Sequence, residues 1–341
     1  MKPLPKTDLE AIGGAGGAHW DALRSARIFL TGGTGFFGRW IIESFVHANA
    51  RRNLGASLTI LSRSPSAFLE KYPWLKDAPG LEWLTGDVRS FEFPEGDYTH
   101  VIHAATPVIA IKSPEDAREV LSIIIDGTSH ILGFCKTKRV RRLLLISSGA
   151  VYGSQPATLL GFPENWSGAP DPALSASAYG EGKRVSETMG VCASACDGFE
   201  IRIARCFAFV GPGLPLDTHF AAGNFIGDIL KGIPPRLKGD PNTVRSYLYA
   251  SDLTAWLWRH LSGDGHAVIN VGSDEGVTLG DLANSLSERY LGKRALEFEK
   301  SGSGNRYMPD IGRARENGSD VGVDLRAAFE KTIVYHQENN T

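Results

Sequence analysis

The stretch RIFLTGGTGFFGRWIIESFVHANA, residues 27–50, decides the fold. Its first part, Arg27–Thr31, has the apolar pattern of a short strand, and a glycine-rich turn follows directly. Beyond the turn, apolar residues recur at helical spacing, namely Trp40, Ile41, Phe45 and Ala48. The stretch therefore predicts a strand, a tight glycine turn and a helix in immediate succession.

The same alternation continues outward from this stretch to about residue 207. Further strands are predicted at 57–61, 81–85, 100–104, 142–147 and 200–207, and further helices at 64–71, 114–136 and 179–195. The run Leu143–Ile146 is apolar on both faces, which is typical of a parallel strand covered by helices on both sides. We therefore predict an α/β fold, a doubly wound (Rossmann-type) parallel sheet with a smaller C-terminal α/β lobe.

Composition and periodicity along the chain predict three parts. Residues 1–26 form an N-terminal arm, broken at Gly13–Gly17; residues 27–210 form the Rossmann domain; and 211–341 form the smaller lobe, with the two lobes free to interleave. Residues 153–178 lack periodicity and are rich in Pro, Gly, Ser and Ala, which indicates a long functional loop. In the lobe we expect helices near 219–231, 251–261 and 279–290, and strands near 244–247 and 267–271.

Composition excludes several classes of protein. The 36 basic and 38 acidic residues give a net charge of −2, so no nucleic-acid partner is expected. No apolar run approaches the roughly 18 residues of a membrane span, so no membrane partner is expected either. The first fourteen residues lack an apolar signal region and the cysteines are few, which predicts a cytoplasmic location. Cys192 and Cys196 have no further ligand nearby in sequence, and no metal site is predicted.

The glycine turn predicts a dinucleotide site. Gly32, Gly35 and Gly38 are spaced so that the strand turns sharply, a pyrophosphate reaches the backbone, and the next helix packs closely on the sheet. The phosphates would lie on the helix N-terminus, beside Phe36 and Phe37.

The end of the second strand selects the dinucleotide. An acidic residue there would bind the ribose 2′-hydroxyl of NAD, but no Asp or Glu occurs between Ser44 and Leu69. The strand ends instead in Ser62-Arg63-Ser64, which favours NADP over NAD; the alternative is that Arg63 is a solvated loop residue. The loops after the third and fourth strands, Asp87-Val88 and Ala104-Ala105, are expected to line the same cofactor, although Asp87 could merely cap a turn.

Two features suggest acid–base chemistry. Tyr179 and Lys183 are four residues apart, which places them on one helix face. A phenol titrates near 10, so we expect the ammonium to lower the pKa of Tyr179. Ser147 and Ser148 follow a buried strand at the edge where open α/β sheets bind ligands. By itself a Tyr and Lys pair at this spacing is more often structural. The two serines and the glycine turn favour a catalytic role for the pair in this sequence.

Three motifs in this order carry a family resemblance: Thr31–Gly38, Ser148–Gly153 and Tyr179–Lys183. Over about residues 25–320 the chain resembles the extended short-chain dehydrogenase/reductase family, the NAD(P)-dependent nucleotide-sugar epimerases, dehydratases and reductases. The resemblance implies that Tyr179 is the acid–base, that Lys183 binds the nicotinamide ribose and tunes Tyr179, and that Ser148 positions the sugar hydroxyl.

The resemblance also implies partners and a substrate site. It places a nucleotide-sugar in the C-terminal lobe and implies a homodimer through a four-helix bundle of helices 114–136 and 179–195. Arg245 lies in a segment similar to a family run and would bind a substrate phosphate, the alternative being a surface ion pair. The same likeness implies substrate-binding roles for Asn224, Phe225 and Arg306. Ala208 stands where many members have asparagine.

The resemblance leaves the reaction open. Family dehydratases carry Asp-Glu directly after the catalytic hydroxyl residue, and decarboxylases use a nearby glutamate, whereas this chain has Gly149 and Ala150. Neither side chain can move a proton, which argues against dehydration and decarboxylation. The prediction is an NADP(H)-dependent reductase of a 4-keto-6-deoxy sugar nucleotide. An NAD(P)-dependent epimerase with retained cofactor is the alternative, and a non-catalytic NADP-binding scaffold is a distant one.

Overall fold

A computed structural model describes residues 1–14, 17–106, 111–218, 220–297 and 304–340. Its strands are β1 Arg27–Thr31, β2 Ser57–Ser62, β3 Leu81–Thr85, β4 His100–His103, β5 Arg142–Ser148, β6 Glu200–Cys206, β7 Phe209–Val210, β8 Val244–Arg245, β9 Leu248–Tyr249, β10 Val268–Val271, β11 Val277–Thr278 and β12 Arg306–Tyr307. Its α-helices are α1 Lys6–Gly14, α2 Gly17–Asp21, α3 Phe36–Arg52, α4 Pro65–Lys71, α5 Pro114–Thr137, α6 Ala178–Asp197, α7 Ala221–Leu230, α8 Ala250–Ser262, α9 Leu279–Leu291, α10 Gly312–Glu316 and α11 Leu325–Asn340.

The main sheet has seven parallel strands in the order β3-β2-β1-β4-β5-β6-β10. The direction of winding reverses between β1 and β4, which is the crevice where doubly wound sheets bind ligands. The register places Thr31 opposite Leu61 and His103, and Ser148 opposite Cys206. The predicted fold class is confirmed, and the predicted strands of the first 207 residues agree with the structure to within a few residues.

Alternation along β1 shows how both faces of the sheet are buried. Ile28 and Leu30 enter one hydrophobic cluster with side chains of α3 and α8, whereas Phe29 enters a second cluster with side chains of α5. Successive side chains of a strand point to opposite faces, so this strand needs helices on both sides. The continuous apolar runs in the sequence have this physical cause.

The smaller lobe has its own core, built on α7, α9 and α11. It carries a three-stranded sheet, β11-β8-β12, and a two-stranded one, β7-β9. The strand predicted near 244–247 is present but shorter, as β8, and the next strand, β9, belongs to a different sheet. The strand predicted at 267–271 is present as β10, but it joins the main sheet beside β6. The chain therefore returns to the first domain after residue 211, and the domain boundaries stay a prediction.

The N-terminal arm packs on the rest of the molecule. Asp8 is buried, accepts a hydrogen bond from Tyr249 Oη at 2.7 Å and pairs with Lys331 of α11. Residues 15 and 16, which lie within the predicted break at Gly13–Gly17, are outside the described residues. No helix in the described part of the chain combines the length and apolar character that crossing a bilayer requires.

Candidate active site

The glycine turn is shaped by close backbone contacts. Gly32 has a φ of +73°, and a Cβ there would lie 2.6 Å from the backbone of Ala104. A Cβ on Gly38 would lie 2.3 Å from the backbone of Gly33, so the first turn of α3 packs against the end of β1. Side chains at these positions would separate the helix from the strand, and only glycine fits.

The N-terminus of α3 is open to an anion. Its N-cap is Gly35, and no side chain of the described residues caps it. The N–H groups of the first turn, at Phe36, Phe37 and Gly38, have no acceptor within the helix, and the helix dipole adds positive character. The half-buried ring of Phe37 packs edge-on against Phe209 at 5.0 Å. What Phe36 and Phe37 offer to an anion at this helix end is therefore their backbone N–H groups. These residues fit the pyrophosphate of a dinucleotide.

Two guanidinium groups lie near the loop after β3. Arg89 donates from its backbone N (2.9 Å), Nε (2.9 Å) and Nη2 (3.1 Å) to the Asp87 carboxylate, and these hydrogen bonds lower the pKa of Asp87. Arg63 is exposed, and its charge contributes to the same shift. The sequence analysis did not single out Arg89, although its spacing of two from Asp87 is a usable signal.

The rest of this end of the cofactor site is held by packing. Ser62 is buried, and its Oγ accepts the N–H of Ser64, which is exposed beside Arg63. The Val88 side chain packs on the second core cluster, and a Cβ on Gly127 of α5 would lie 3.0 Å from it. Val88 therefore anchors the loop, and its neighbour Asp87 is the residue that faces outward.

Thr31 fixes the loop after β4. Its Oγ1 accepts the N–H groups of Ala104 (3.2 Å) and Ala105 (3.1 Å) and contacts His103 Nδ1 at 2.8 Å. Burial lowers the pKa of His103 to about 3, so this imidazole is neutral. With both lone pairs of Oγ1 occupied, the hydroxyl proton points at Nδ1, and His103 Nε2 carries the hydrogen that faces Thr128 at 3.3 Å.

The three predicted catalytic residues meet at the carboxyl edge of the sheet. Ser148 ends β5, and its hydroxyl acts to lower the pKa of the Tyr179 phenol of α6. Lys183 is buried, and its Nζ donates to Thr106 Oγ1 at 2.6 Å and to the Ile146 carbonyl at 2.7 Å. Cys206, opposite Ser148 in the sheet, influences the titration of both Tyr179 and Lys183. The structure thus brings the phenol, the amine and the hydroxyl to one place.

The electrostatics of this cluster correct one expectation. We expected Lys183 to lower the pKa of Tyr179, but burial raises it, with the Ser148 hydrogen bond opposing the rise. The physical reason is that Lys183 directs its hydrogens to Thr106 and Ile146, while the phenol is enclosed. Burial also lowers the pKa of Lys183 to about 8. At neutral pH the site therefore holds a protonated phenol and an ammonium close to its titration range.

Tyr307 is a member of this cluster that the sequence analysis missed. A Cβ on Gly149 would lie 2.7 Å from Tyr307 Oη and 2.6 Å from the Phe207 ring, and burial raises the pKa of the Tyr307 phenol while Ser148 opposes the rise. Arg245 is its register partner on β8, with the guanidinium carbon 5.7 Å from the ring centroid. The predicted residue Arg306 is not brought here: it points the other way along β12, to Met308 Sδ at 3.5 Å.

The predicted lobe residues differ in accessibility. Asn224 is half-buried on α7, whereas Phe225 is 1 % exposed and lies in the lobe core. The Phe225 ring is enclosed because α7 turns this face inward, and a contact between this residue and the substrate stays a prediction. An open cavity of about 770 Å³ lies farther along the lobe, lined by residues that include Pro234, Arg236 and Pro241.

A buried ion pair supports the catalytic edge. Glu187 of α6 accepts from Ser147 Oγ at 2.5 Å and from Arg205 Nη2 at 2.6 Å. Arg205 also donates to Tyr152 Oη at 2.9 Å and to the Glu164 carbonyl at 2.9 Å. These contacts join α6, β5, β6 and the long loop after residue 153. The described residues contain no cluster of three or more side chains able to hold a metal ion.

Comparison with known proteins places this geometry in a family. Residues 28–272 match the model of the NAD dependent epimerase/dehydratase family. The chain belongs to this family. The resemblance seen in the three motifs is thereby confirmed.

Curated and solved members of the family show how far the likeness extends. UDP-glucuronic acid decarboxylase 6 of Arabidopsis thaliana is 29 % identical over 295 residues, covering 85 % of this chain and 82 % of the relative. The UDP-glucose 4-epimerase of Thermotoga maritima, solved with UDP-glucose, has a TM-score of 0.76 at 19 % identity and covers 92 % of this chain and 100 % of its own. The UDP-glucose 4-epimerase of Thermus thermophilus, solved with NAD, has a TM-score of 0.73 at 24 % identity, covering 91 % and 98 %.

The close contacts at Gly149 lead to a prediction about the stability of the protein. We expect Gly149→Ala to lower the free energy of unfolding by about 1–3 kcal/mol, because the new methyl group must displace Phe207 and Tyr307. Urea denaturation measures this. Gly133→Ala is the matched control, since a Cβ there meets only Phe93 at 3.9 Å within an exposed part of α5, and it should gain about 0.5–1 kcal/mol. Equal unfolding midpoints for the two variants would contradict the crowding.

Proposed function

We propose that the protein is an NADP(H)-dependent oxidoreductase acting at C4 of a nucleotide-activated sugar, and specifically a reductase of a 4-keto-6-deoxy sugar nucleotide. The observation that carries this proposal is the hydroxyl cluster of Ser148 and Tyr179 beside Lys183, next to Gly149 and Ala150. The cluster can exchange a proton with a substrate oxygen. The two small residues provide no further acid or base.

The protonation states of Tyr179 and Lys183 suit the reduction of a substrate carbonyl group. When bound, the nicotinamide cofactor supplies a hydride to the carbonyl carbon. Tyr179, whose pKa burial raises, holds a proton at neutral pH and donates it from Oη to the carbonyl oxygen. Ser148 stabilises the negative charge that develops on this oxygen. Lys183, one helical turn from Tyr179, keeps a positive charge below about pH 8, and its role in the proposal is to contact the cofactor ribose.

The nucleotide part of the substrate would lie in the smaller lobe. Arg245 is half-buried, and within the described residues its guanidinium donates to the carbonyls of Val244 (2.8 Å) and Asn305 (3.3 Å) while no carboxylate pairs with it. A partly desolvated guanidinium with remaining donors is suited to a diphosphate. Asn224 and the cavity lined in part by Arg236 are further candidates in the lobe for contacts with the nucleoside.

The preference for NADP rests on the end of β2. Arg63 is exposed there, no acidic residue occupies the 2′-hydroxyl position of that strand, and the nearby Asp87 carboxylate is occupied by Arg89. A free guanidinium matches a 2′-phosphate better than a 2′-hydroxyl.

Two other reactions of similar proteins bear on the proposal. A C4 epimerase would use the same phenol to remove a proton and then return it, and the solved structures of similar fold include UDP-glucose 4-epimerases. Decarboxylation, named for the curated relatives, is disfavoured because Gly149 and Ala150 cannot take or give a proton. A non-catalytic scaffold is disfavoured because Ser148, Tyr179 and Lys183 are all present and assembled.

A homodimer is part of the proposal. Helices α5 and α6 pack on each other, and α6 leaves Val185 39 % and Val191 51 % exposed. Exposed apolar side chains on a helix pair are suited to packing against a second copy, which would form a four-helix bundle.

Removal of the phenol tests the acid–base role. We expect Tyr179→Phe to lower kcat by about 10²–10⁴-fold, the usual contribution of a general acid, and to leave the cofactor dissociation constant near the wild-type value. Steady-state kinetics and cofactor fluorescence titration measure the two quantities. Retained turnover would refute the role assigned to Tyr179.

Substrate assays separate the candidate reactions. We expect NADPH to be oxidised in equal amount with a 4-keto-6-deoxy sugar nucleotide, because a reductase consumes its hydride. A C4 epimer formed from a UDP-sugar without net cofactor change would assign the epimerase instead. Release of CO₂ from UDP-glucuronate would overturn the argument from Gly149 and Ala150.

The cofactor preference has its own test. Arg63→Ala should weaken NADPH binding by about ten- to a hundredfold, the contribution of a charge-assisted hydrogen bond, and leave NADH binding nearly unchanged. Arg326→Ala, an exposed arginine on α11, is the control. An equal loss for both cofactors would remove the 2′-phosphate from the proposal.

A further inference from the structure

Four buried polar side chains form an unbroken row of hydrogen bonds from the end of β1 to α6. Thr31 Oγ1 lies 2.8 Å from His103 Nδ1, and His103 Nε2 lies 3.3 Å from Thr128 Oγ1. Thr128 Oγ1 in turn lies 2.9 Å from Ser186 Oγ. None of the four side chains belongs to a residue more than 4 % exposed, and we call them the polar row. A polar group this far from water destabilises the fold unless it has a partner, so each member depends on its neighbours.

The imidazole of His103 sets the direction of the first two hydrogen bonds. Thr31 Oγ1 accepts the N–H groups of Ala104 (3.2 Å) and Ala105 (3.1 Å), so its own hydrogen goes to His103 Nδ1. A neutral imidazole that accepts at Nδ1 carries its hydrogen at Nε2, and this N–H faces Thr128 Oγ1. His103 therefore joins two hydroxyl groups through an acceptor on one edge of a rigid ring and a donor on the other.

The two ends of the polar row reach the two parts of the candidate site. At one end, Thr31 holds the loop after β4, residues 104–106, which is expected to line the cofactor. At the other end, Ser186 lies on α6, three residues after Lys183 and seven after Tyr179. Residues at these spacings share one helix face, so the row is attached to the face that carries both candidate catalytic side chains.

Lys183 makes a second, direct contact between the same loop and the same helix face. Its Nζ donates to Thr106 Oγ1 at 2.6 Å. Lys183 and Ser186 lie about one turn apart, so α6 is attached to the loop at two heights. Two directional attachments along one face fix the rotation of a helix about its axis and its position along that axis.

The polar row differs from other contacts of α6 in where it leads. Against α5, a Cβ on Gly182 would lie 3.3 Å from Ile124, so apolar packing brings the two helices close. Such packing is non-directional and fixes a distance better than a register. Glu187 accepts from Ser147 at 2.5 Å and from Arg205 at 2.6 Å, which holds α6 on β5 and β6. The polar row instead joins α6 to β1 and β4, the strands on either side of the cofactor crevice.

We propose that His103 and Thr128 are positioning residues that hold the Tyr179 and Lys183 face of α6 in register with the loop at 104–106. The inference rests on the proposed function and deepens it. Under that function, the nicotinamide and the phenol act on the carbon and the oxygen of one carbonyl group, and reacting atoms must approach to about 3–3.5 Å. A displacement of about 1 Å between the cofactor loop and α6 is enough to slow such a step strongly.

Two substitutions at residue 128 separate the hydroxyl group from the packing. Thr128→Val keeps the shape of the side chain and removes the hydroxyl, whereas Thr128→Ser keeps the hydroxyl and removes a methyl group. Both changes weaken the core, so a purely structural role predicts losses for both. We expect Thr128→Val to weaken cofactor binding and lower kcat by about five- to tenfold each, the factor that one net hydrogen bond represents, and Thr128→Ser to restore both quantities.

The measurements use the full-length protein. Fluorescence titrations with NADPH and, in parallel, NADH give the cofactor dissociation constants, and steady-state kinetics give kcat and KM. We expect KM for the sugar nucleotide to stay near the wild-type value, because the polar row lies on the cofactor side of α6.

A double-mutant cycle tests whether the polar row acts through the cofactor loop. In a Thr106→Val background, which removes the Lys183 contact, Thr128→Val should weaken cofactor binding by less than about twofold, because the attachment that the row positions is already lost. Thr254→Val is the matched control. Thr254 is buried on α8 and donates to the Ala250 carbonyl at 2.7 Å, outside the polar row, so its replacement should leave cofactor binding unchanged in either background.

Ser186→Ala keeps the proposal testable if Thr128→Val fails to fold. It removes the contact with α6 and leaves Thr128 as the partner of His103 Nε2, so this buried N–H keeps its acceptor. We expect the same losses in cofactor affinity and kcat as for Thr128→Val.

Three results would overturn the inference. The first is cofactor binding by Thr128→Val, or by Ser186→Ala in its place, that equals that of Thr254→Val. The second is a larger loss for Thr128→Ser than for Thr128→Val, which would assign the effect to packing. The third is an equal effect of Thr128→Val with and without the Thr106 hydroxyl.

The failure of this inference is distinguishable from the failure of the proposed function. The cofactor titrations need no sugar substrate. A protein that binds the dinucleotide but does not reduce 4-keto-6-deoxy sugar nucleotides would refute the proposed function, and the titrations would still decide the role of Thr128.

Discussion

The close backbone contact between Gly32 and Ala104 is the constraint on which the rest of the site depends. It brings the glycine turn against the loop after β4, and Thr31 holds that loop through the N–H groups of Ala104 and Ala105. The next residue, Thr106, accepts a hydrogen bond from Lys183. A continuous set of short contacts thus leads from the glycine turn to α6, the helix that carries Tyr179, and joins the two parts of the candidate site.

Burial acts on the phenol and the amine in the same chemical direction, toward the neutral form. It raises the pKa of Tyr179 and lowers that of Lys183 to about 8. The usual picture of a phenol made acidic by a neighbouring ammonium therefore does not describe this protein without its ligands. A protonated phenol is a proton donor, which is the state that the proposed reduction of a carbonyl requires.

Local pattern was enough to predict the sheet, the glycine turn and the trio of Ser148, Tyr179 and Lys183, because each depends on neighbours within a few residues. The strands of the smaller lobe were harder to predict from the sequence, since they are two residues long and exist only through pairing with distant partners. Tyr307, and not Arg306, approaches Gly149, because successive side chains of a strand point to opposite faces, and no local signal showed which of these two adjacent residues would do so. The burial of Phe225 was hard to predict for a related reason, since the buried face of α7 is set by α9 and α11.

The residues at 149, 207 and 307 are best understood as one unit. Under the proposed function, Gly149 and Ala150 leave elimination of water and loss of CO₂ without an acid or base, and the absence of a side chain at 149 creates the space that Phe207 and Tyr307 occupy. An acidic side chain at 149 alone would collide with both rings, so it could be accommodated only together with changes at Phe207 and Tyr307. The residue type that the proposed reaction requires at 149 and the positions of these two rings are therefore linked through the same glycine.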